Sequence, residues 1–279
     1  MKHTLPVDFY GATYRNFDLA LYQSIRQQTY GQDIGQNGWL TVEELRQFLE
    51  WLQVRPGMAL LDIGSGSGGP ALFIAQNYRA TVVGVEINRQ AVLRANKRAR
   101  SLHLEAVARF AQVDAHQPLP FEEHTFHAIL CIDAIRALHH RLELFKEWWR
   151  VLKKGGRMLF TEQIVTGLIS SEEFLLRSFI GYFVVAPPAM NEQMIREAGF
   201  ELLHQADVTE NLILISRRWH AARSRQRRAL QQIEGRAFFE GVQQFLAAAH
   251  RLASERRLSR YVFLAQKSRE KANDSQDSM

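Results

Sequence analysis

Short apolar runs alternate with amphipathic stretches through most of this chain, and this alternation restricts its fold more than any other feature. The runs have the length and composition of strands buried on both faces of a sheet. They cover residues 58–63, 81–86, 107–113, 128–132, 157–162, 200–208 and 260–266. Helical patterns separate the first five runs. Strands alternating with helices predict an α/β fold built on a doubly wound, mostly parallel sheet.

The alternation also indicates how the chain is divided. After Glu162 an aromatic stretch closes at Pro187-Pro188, and a long helical region precedes the last strand. Near the N-terminus, Tyr10, Tyr14, Phe17 and Leu21 fit one helical face. We predict a helical lid over 1–40, a core over 41–163, 189–208 and 259–267, cap insertions over 164–188 and 209–258, and a disordered tail over 268–279.

Composition excludes several classes of protein. Hydrophobic residues make up 46% of the 279 residues, which is enough for a proper core. The sequence has no apolar stretch approaching the ~20 residues of a membrane helix and no signal-peptide pattern at Met1. Cys131 is the single cysteine, so an internal disulfide and a thiolate zinc cluster are excluded. We expect a cytoplasmic protein without a metal or a membrane partner.

Positive charge is concentrated in one segment. Residues 209–260 contain eleven arginines against four glutamates, a net of +7 in a chain whose total is +6. One hypothesis is an RNA-modifying enzyme whose 217–260 segment holds phosphates. The arginines alternate with an apolar stripe, however, and the chain shows no RNA-binding module. A solvated helix surface is therefore the interpretation we favour, and no nucleic-acid partner is expected.

Three acidic residues stand at or near the ends of predicted neighbouring strands. Asp62 precedes the glycine-rich turn that begins at Gly64, where glycine lets a ligand approach the backbone closely. Glu86 follows 22 residues after Gly64 and is placed to accept hydrogen bonds from ribose hydroxyls. Asp114 ends the third strand, where a carboxylate can receive an adenine amino group. These positions predict a nucleoside-containing ligand.

A nicotinamide dinucleotide is the first alternative, because Gly64-x-Gly66-x-x-Gly69 also satisfies the dinucleotide fingerprint. A pyrophosphate has little use for Asp62 beside the turn, since both are negatively charged. A sulfonium ligand with an amino group suits these carboxylates better. A protein that kept the cofactor site without catalysis is a further alternative.

Residues 58–163 resemble the core of class I S-adenosylmethionine-dependent methyltransferases. Asp62 to Gly68 resembles the family's first motif, Glu86 its ribose acid, and Lys153 to Gly156 the turn before its fifth strand. Asp133-Ala134 and Ala198-Gly199-Phe200 are similar to the sarcosine/dimethylglycine and phosphoethanolamine methyltransferases. The resemblance implies S-adenosylmethionine as cofactor and a Rossmann-like seven-stranded sheet with an antiparallel last strand and a helical cap. The predicted cofactor residues are Tyr14, Asp62, Gly64, Ser65, Gly66, Glu86, Ile87, Asp114, Ala115 and Ile132.

Methyl transfer from a sulfonium requires mainly alignment and desolvation, but a hydroxyl or carbon acceptor also needs a base. The candidate bases lie near carboxyl ends of strands: Asp133, His139, His140 and Glu162. A helix cap at Asp133 and surface positions for the histidines are the alternatives. Candidates for an apolar acceptor pocket are Tyr10, Phe179, Tyr182 and Phe183. We predict a small-molecule acceptor, methylated on nitrogen, oxygen or carbon, and a monomer or homodimer.

Overall fold

Seven strands form one sheet in the computed structural model, which describes residues 9–181 and 187–268. The strands are β1 Ala59–Ile63, β2 Thr81–Glu86, β3 Ala108–Gln112, β4 Phe126–Cys131, β5 Leu152–Val165, β6 Phe200–Asp207 and β7 Leu258–Lys267. Their order is β3-β2-β1-β4-β5-β7-β6. The first five are parallel, and β7 runs antiparallel to both of its neighbours. The predicted fold class is confirmed.

Helices cover both faces of the sheet and one end of it. They are α1 Phe9–Arg15, α2 Ala20–Tyr30, α3 Val42–Trp51, α4 Gly69–Tyr78, α5 Arg89–Ser101, α6 Arg141–Val151, α7 Ser171–Arg177, α8 Met190–Glu197, α9 Thr209–Arg225, α10 Arg227–Glu234 and α11 Arg236–Ser254. Thr41 caps α3 by accepting a hydrogen bond from the Glu44 N–H, as its position before two glutamates predicts. Asn88 caps α5 in the same way.

Alternate side chains of the parallel strands enter two separate cores. Leu60 of β1 packs on one face with Phe48 of α3. Leu61 packs on the opposite face with Trp148 of α6, where Cys131 is also buried. This period of two places apolar residues on both faces, so the carboxyl ends of β1 to β4 are held in one row. No helix in the ranges 9–181 and 187–268 could cross a membrane.

Two local predictions were wrong. α1 ends at Arg15 and α2 begins at Ala20, so Phe17 lies in the turn between them and does not continue the helical face of Tyr14. The Arg26 guanidinium, 3.8 Å from the Phe17 ring centroid, holds that ring in place. β5 begins at Leu152 and includes the lysine–glycine stretch that the sequence indicated as a turn.

The lid and cap segments share one apolar core. Phe9 of α1 and Tyr30 of α2 pack with Ile180 and with the α11 side chains of Val242 and Phe245. The structure thus joins the predicted N-terminal lid to the two predicted cap insertions. The proposed division into lid, core and cap stays a prediction, and the predicted tail beyond Ser268 lies outside the described residues.

The basic segment is less exposed than predicted. Arg223 was expected to face solvent, but it is buried and pairs with Glu234 at 2.6 Å, while Tyr22 donates a hydrogen bond to the same carboxylate. Arg260 is fully buried. Six of the eleven arginines pair with carboxylates: Arg223, Arg236, Arg251, Arg256, Arg257 and Arg260.

Candidate functional site

The end of β1 presents an unsatisfied carboxylate. Asp62 is 3% exposed, and its Oδ2 atom has no hydrogen-bond partner among the described residues. Ser65 Oγ, three residues further along the turn, is buried and unpartnered in the same way. Buried polar atoms are normally satisfied, so these two mark a place where a ligand with donors completes the site. Burial, reinforced by the negative charge of Glu86, raises the pKa of Asp62 to about 7.

The turn after β1 requires glycine for a steric reason. Gly66 has a φ of 54°, and a Cβ atom at this position would lie 2.7 Å from the Tyr14 hydroxyl. A side chain would therefore be strained and would collide with Tyr14, which is itself buried. Burial, together with the charge of Glu86, raises the pKa of Tyr14, so its hydroxyl stays protonated and can donate a hydrogen bond.

Glu86, at the end of β2, is oriented by the turn beside it. Its Oε2 accepts a hydrogen bond from the Gly66 N–H at 3.0 Å, and its Oε1 accepts one from the Asn88 N–H at 2.9 Å. Burial raises the pKa of Glu86, although these backbone donors oppose the effect. Because each carboxylate oxygen can accept more than one hydrogen bond, the group can still bind a diol.

Asp114 follows β3 and is held by a histidine that the sequence analysis did not single out. The Asp114 carboxylate accepts hydrogen bonds from the His116 backbone N–H at 3.0 Å and ring Nδ1 at 2.8 Å. These bonds lower the pKa of Asp114, which is therefore ionised at neutral pH. The fixed carboxylate can accept a hydrogen bond from an exocyclic amine.

Two adjoining pockets lie along the carboxyl ends of these strands. The larger has a volume of about 360 Å³, within the usual range for ligand sites, and the smaller lies around Asp62. Tyr14, Gly64 and Ile132 line both of them. All ten predicted cofactor residues line one or the other: Tyr14, Asp62, Gly64, Ser65, Gly66, Glu86, Ile87, Asp114, Ala115 and Ile132.

Asp133 lines the larger pocket, but its carboxylate is already engaged. It accepts hydrogen bonds from the Trp39 N–H at 2.8 Å, the Thr161 hydroxyl at 3.0 Å and Arg260 Nε at 2.8 Å. Arg260 also pairs with Glu44 at 2.7 Å. Burial lowers the pKa of the Arg260 guanidinium, but the charges of Asp133 and Glu44 outweigh this effect and raise it overall. The predicted role of Asp133 as a base is not supported, because both carboxylate oxygens are already occupied by donors from the protein.

The other three candidate bases do not line either pocket. Glu162 pairs through both oxygens with Arg141, accepts a further bond from Asn191 Nδ2 at 2.6 Å, and does not line either pocket. Its geometry indicates an anchor for α6 and α8 and argues against its predicted role as a base. His139 and His140 are exposed, and His139 stacks on His116 with ring centroids 5.4 Å apart.

The predicted acceptor residues fall into three groups. Tyr10 lines the larger pocket and accepts a hydrogen bond from Arg136 Nη2 at 2.8 Å. Phe179 packs beneath the cap, 6.4 Å from Phe238 between ring centroids and directly against Gly241. Tyr182 and Phe183 lie outside the described residues.

Comparisons with known proteins agree with this geometry. The family described as Methyltransferase domain matches residues 61–160. This part of the chain therefore resembles a methyltransferase domain. The resemblance that the motifs predicted is confirmed.

Two relatives of this chain indicate the range of similar proteins. Phosphoethanolamine N-methyltransferase 3 of Arabidopsis thaliana is 26% identical over 192 residues, covering 69% of this chain and 38% of the relative. Methyltransferase GfsG of Streptomyces halstedii is 30% identical over 170 residues, covering 59% and 60%. The chain thus spans less than two thirds of the length of either relative.

A solved structure supports the fold. The putative sarcosine dimethylglycine methyltransferase from Galdieria sulphuraria superimposes with a TM-score of 0.73 at 19% identity, covering 82% of this chain and 85% of the other. At this level of identity the likeness establishes the fold alone, so the function has to be inferred from the arrangement of the pockets.

Two site residues were missed by sequence reasoning. Arg136 lines the larger pocket, and His116 orients Asp114. Asn37 belongs to the Gly35–Gly38 loop, which the methyltransferase domain holds over the smaller pocket through a hydrogen bond from Ser67 Oγ to the Gly35 carbonyl. The position of Arg136, just beyond the end of β4, was the available signal, but the search there was for bases rather than cations.

Proposed function

We propose that this chain binds S-adenosylmethionine across the two pockets and transfers its methyl group to a small-molecule acceptor. The observation that carries the proposal is the buried, unpartnered Oδ2 of Asp62 beside a glycine turn, in line with Glu86 and Asp114. A row of carboxylates suits a cationic ligand with an amino group, a ribose diol and an adenine. It opposes a pyrophosphate, which disfavours the dinucleotide alternative.

In this proposal Asp62 and Ser65 hold the amino-acid end of the cofactor, Glu86 the ribose and Asp114 the adenine. The cofactor would supply a methyl group that is already activated by its positive sulfur. The protein supplies alignment and exclusion of water, for which Tyr14 and the Gly35–Gly38 loop are placed at the junction of the two pockets.

Because Asp133 and Glu162 are engaged in buried ion pairs, we propose that neither removes a proton from the acceptor. An amine that arrives neutral requires no base, and the names of the phosphoethanolamine relatives indicate such an acceptor. Sterol and rifamycin methyltransferases also occur among the relatives, so the methylated atom stays open.

Cytoplasmic location and a monomeric or homodimeric state stay predictions from the sequence.

Calorimetry with S-adenosylhomocysteine tests the cofactor site, and incubation of metabolite extracts with isotopically labelled S-adenosylmethionine tests the transfer. We expect binding by the parent protein, at least tenfold weaker binding by Asp62→Ala, and label in a small molecule identified by mass spectrometry. Glu105→Ala removes an exposed carboxylate elsewhere on the surface and is the matched control. A parent protein that does not bind the ligand would overturn the proposal. Binding without transfer to any acceptor would favour a non-catalytic role.

A further inference from the structure

A cluster of hydrogen-bond donors lies between the larger pocket and the cap. Arg136 lines the pocket and is hydrogen-bonded to Tyr10. Arg177, the last residue of α7, donates from Nη2 to the Gln163 side-chain oxygen, and its guanidinium lies 4.6 Å from the ring centroid of Phe245. The cluster thus connects the segment that follows β4 with β5, α7 and α11, beside the larger pocket.

Two donors in this cluster are not satisfied within the protein. Arg177 Nη1 and Gln163 Nε2 are buried, and neither has a hydrogen-bond partner among the described residues. Buried donors of this kind are rare in folded proteins and call for an explanation. Both atoms can only donate, so the missing partner is an acceptor of hydrogen bonds.

The charge of Arg177 is unusual for this protein. The buried guanidinium groups of Arg141, Arg223 and Arg260 each pair with an aspartate or glutamate. Within 9–181 and 187–268, no carboxylate lies within ion-pair distance of Arg177. Burial, assisted by the positive charge of Arg136, lowers the pKa of Arg177 to about 9. At neutral pH Arg177 therefore carries its positive charge in a poorly solvated place, which an anion would stabilise.

We propose that Arg177 and Gln163, together with Arg136, bind an anionic oxygen-bearing group of the acceptor, either a phosphoryl group or a carboxylate. This inference rests on the proposed function, since it assumes that the acceptor enters the larger pocket. Guanidinium groups match the geometry of such oxyanions, and the Tyr10 ring, which lines the larger pocket, gives the acceptor's apolar part a surface to contact. The anionic group would then set the orientation of the acceptor relative to the methyl donor.

Calorimetry on protein saturated with S-adenosylhomocysteine tests the inference at constant ionic strength. The probes are phenyl phosphate, benzoate and benzylamine, which share a ring and differ in charge. We expect the parent to bind at least one of the two anions and not the amine. Arg177→Gln should weaken anion binding by about tenfold or more, as for the loss of a charge-assisted hydrogen bond, and Arg177→Lys should weaken it less.

Arg218→Gln removes the same charge from an exposed position on α9 and should bind within twofold of the parent. Arg177→Lys keeps the charge, so it preserves the comparison if Arg177→Gln folds poorly. Equal anion binding by parent and Arg177→Gln, or no anion binding by a parent that still binds S-adenosylhomocysteine, would overturn the inference while leaving the proposed function intact. Failure to bind S-adenosylhomocysteine would instead remove the proposed function.

Discussion

Asp62 gives the proposed cofactor site a pH dependence that can be measured. Its carboxyl has a pKa of about 7, raised by burial and by Glu86. A ligand ammonium requires the ionised form of Asp62, so below pH 7 the carboxyl must release a proton before the ligand binds. Affinity then falls by one decade for each pH unit below the pKa, and S-adenosylhomocysteine should bind about tenfold more weakly at pH 6 than at pH 8.

The same carboxyl affects the stability of the cofactor-free protein in the opposite direction. An acid with a raised folded-state pKa contributes stability that is fully present below its unfolded value near 4 and is lost as pH rises through about 7. The difference between the folded-state and unfolded-state pKa of Asp62 corresponds to about 4 kcal/mol of stability at most. Asp62→Asn removes the buried charge and should therefore raise the Tm of the free protein at pH 8, by roughly 2–4 °C per kcal/mol.

Titration calorimetry at pH 6, 7 and 8 and thermal unfolding at pH 8 are the assays, applied to the parent, Asp62→Asn and the exposed control Glu105→Gln. Burial also raises the pKa of Glu86, which acts in the same direction, and the Asn variant isolates the part due to Asp62. Parent affinity that is equal at pH 6 and pH 8 would refute the reasoning. So would an Asn variant that binds as tightly as the parent at pH 8.

Three further predictions address other parts of the molecule. Glu86→Ala should weaken S-adenosylmethionine binding by roughly 1–3 kcal/mol, and unchanged affinity in calorimetry would remove the ribose assignment. Phe179→Ala should raise the acceptor KM more than the cofactor Kd, because Phe179 packs against Gly241 in the cap. Leu175→Ala, at an exposed position, is the control. An equal rise in the acceptor KM and the cofactor Kd would contradict a separate acceptor pocket. A variant in which glutamine replaces four exposed arginines should bind the cofactor as tightly as the parent, and no methyl label should enter RNA. Tight RNA binding at low salt that is lost in this variant, with label in RNA, would favour the RNA alternative. The four are Arg218, Arg225, Arg227 and Arg228.

The cofactor pockets could be predicted because their residues are local in sequence. Asp62 lies one residue before the end of β1, Glu86 is the last residue of β2, and Asp114 follows β3 by two residues. A parallel sheet brings such ends to one edge. The role of Gly66 could also be predicted, since a ligand-binding turn with positive φ requires glycine. The pattern of strands and helices therefore carried both the fold and the cofactor site.

The candidate bases could not be judged from sequence, because their partners are remote. Asp133 is paired with Arg260, 127 residues away, and Glu162 with Asn191, 29 residues away. A charged residue at a strand end looks the same in sequence whether it faces a ligand or a buried counter-charge. The same limit applies to buried Arg223, because in the sequence it looks the same as the exposed Arg225, Arg227 and Arg228 that follow it.

β7 leaves the ribosome after the other six described strands, yet its place in the sheet is between β5 and β6. Until Leu258–Lys267 emerges, the long edge of β5 has no strand to pair with, and an unpaired edge invites aggregation. Asp133 also lacks Arg260 during that interval, so the wall of the larger pocket is incomplete. A nascent or truncated chain that stops before Leu258 should consequently need a chaperone to stay dispersed, even though its methyltransferase motifs have all been translated.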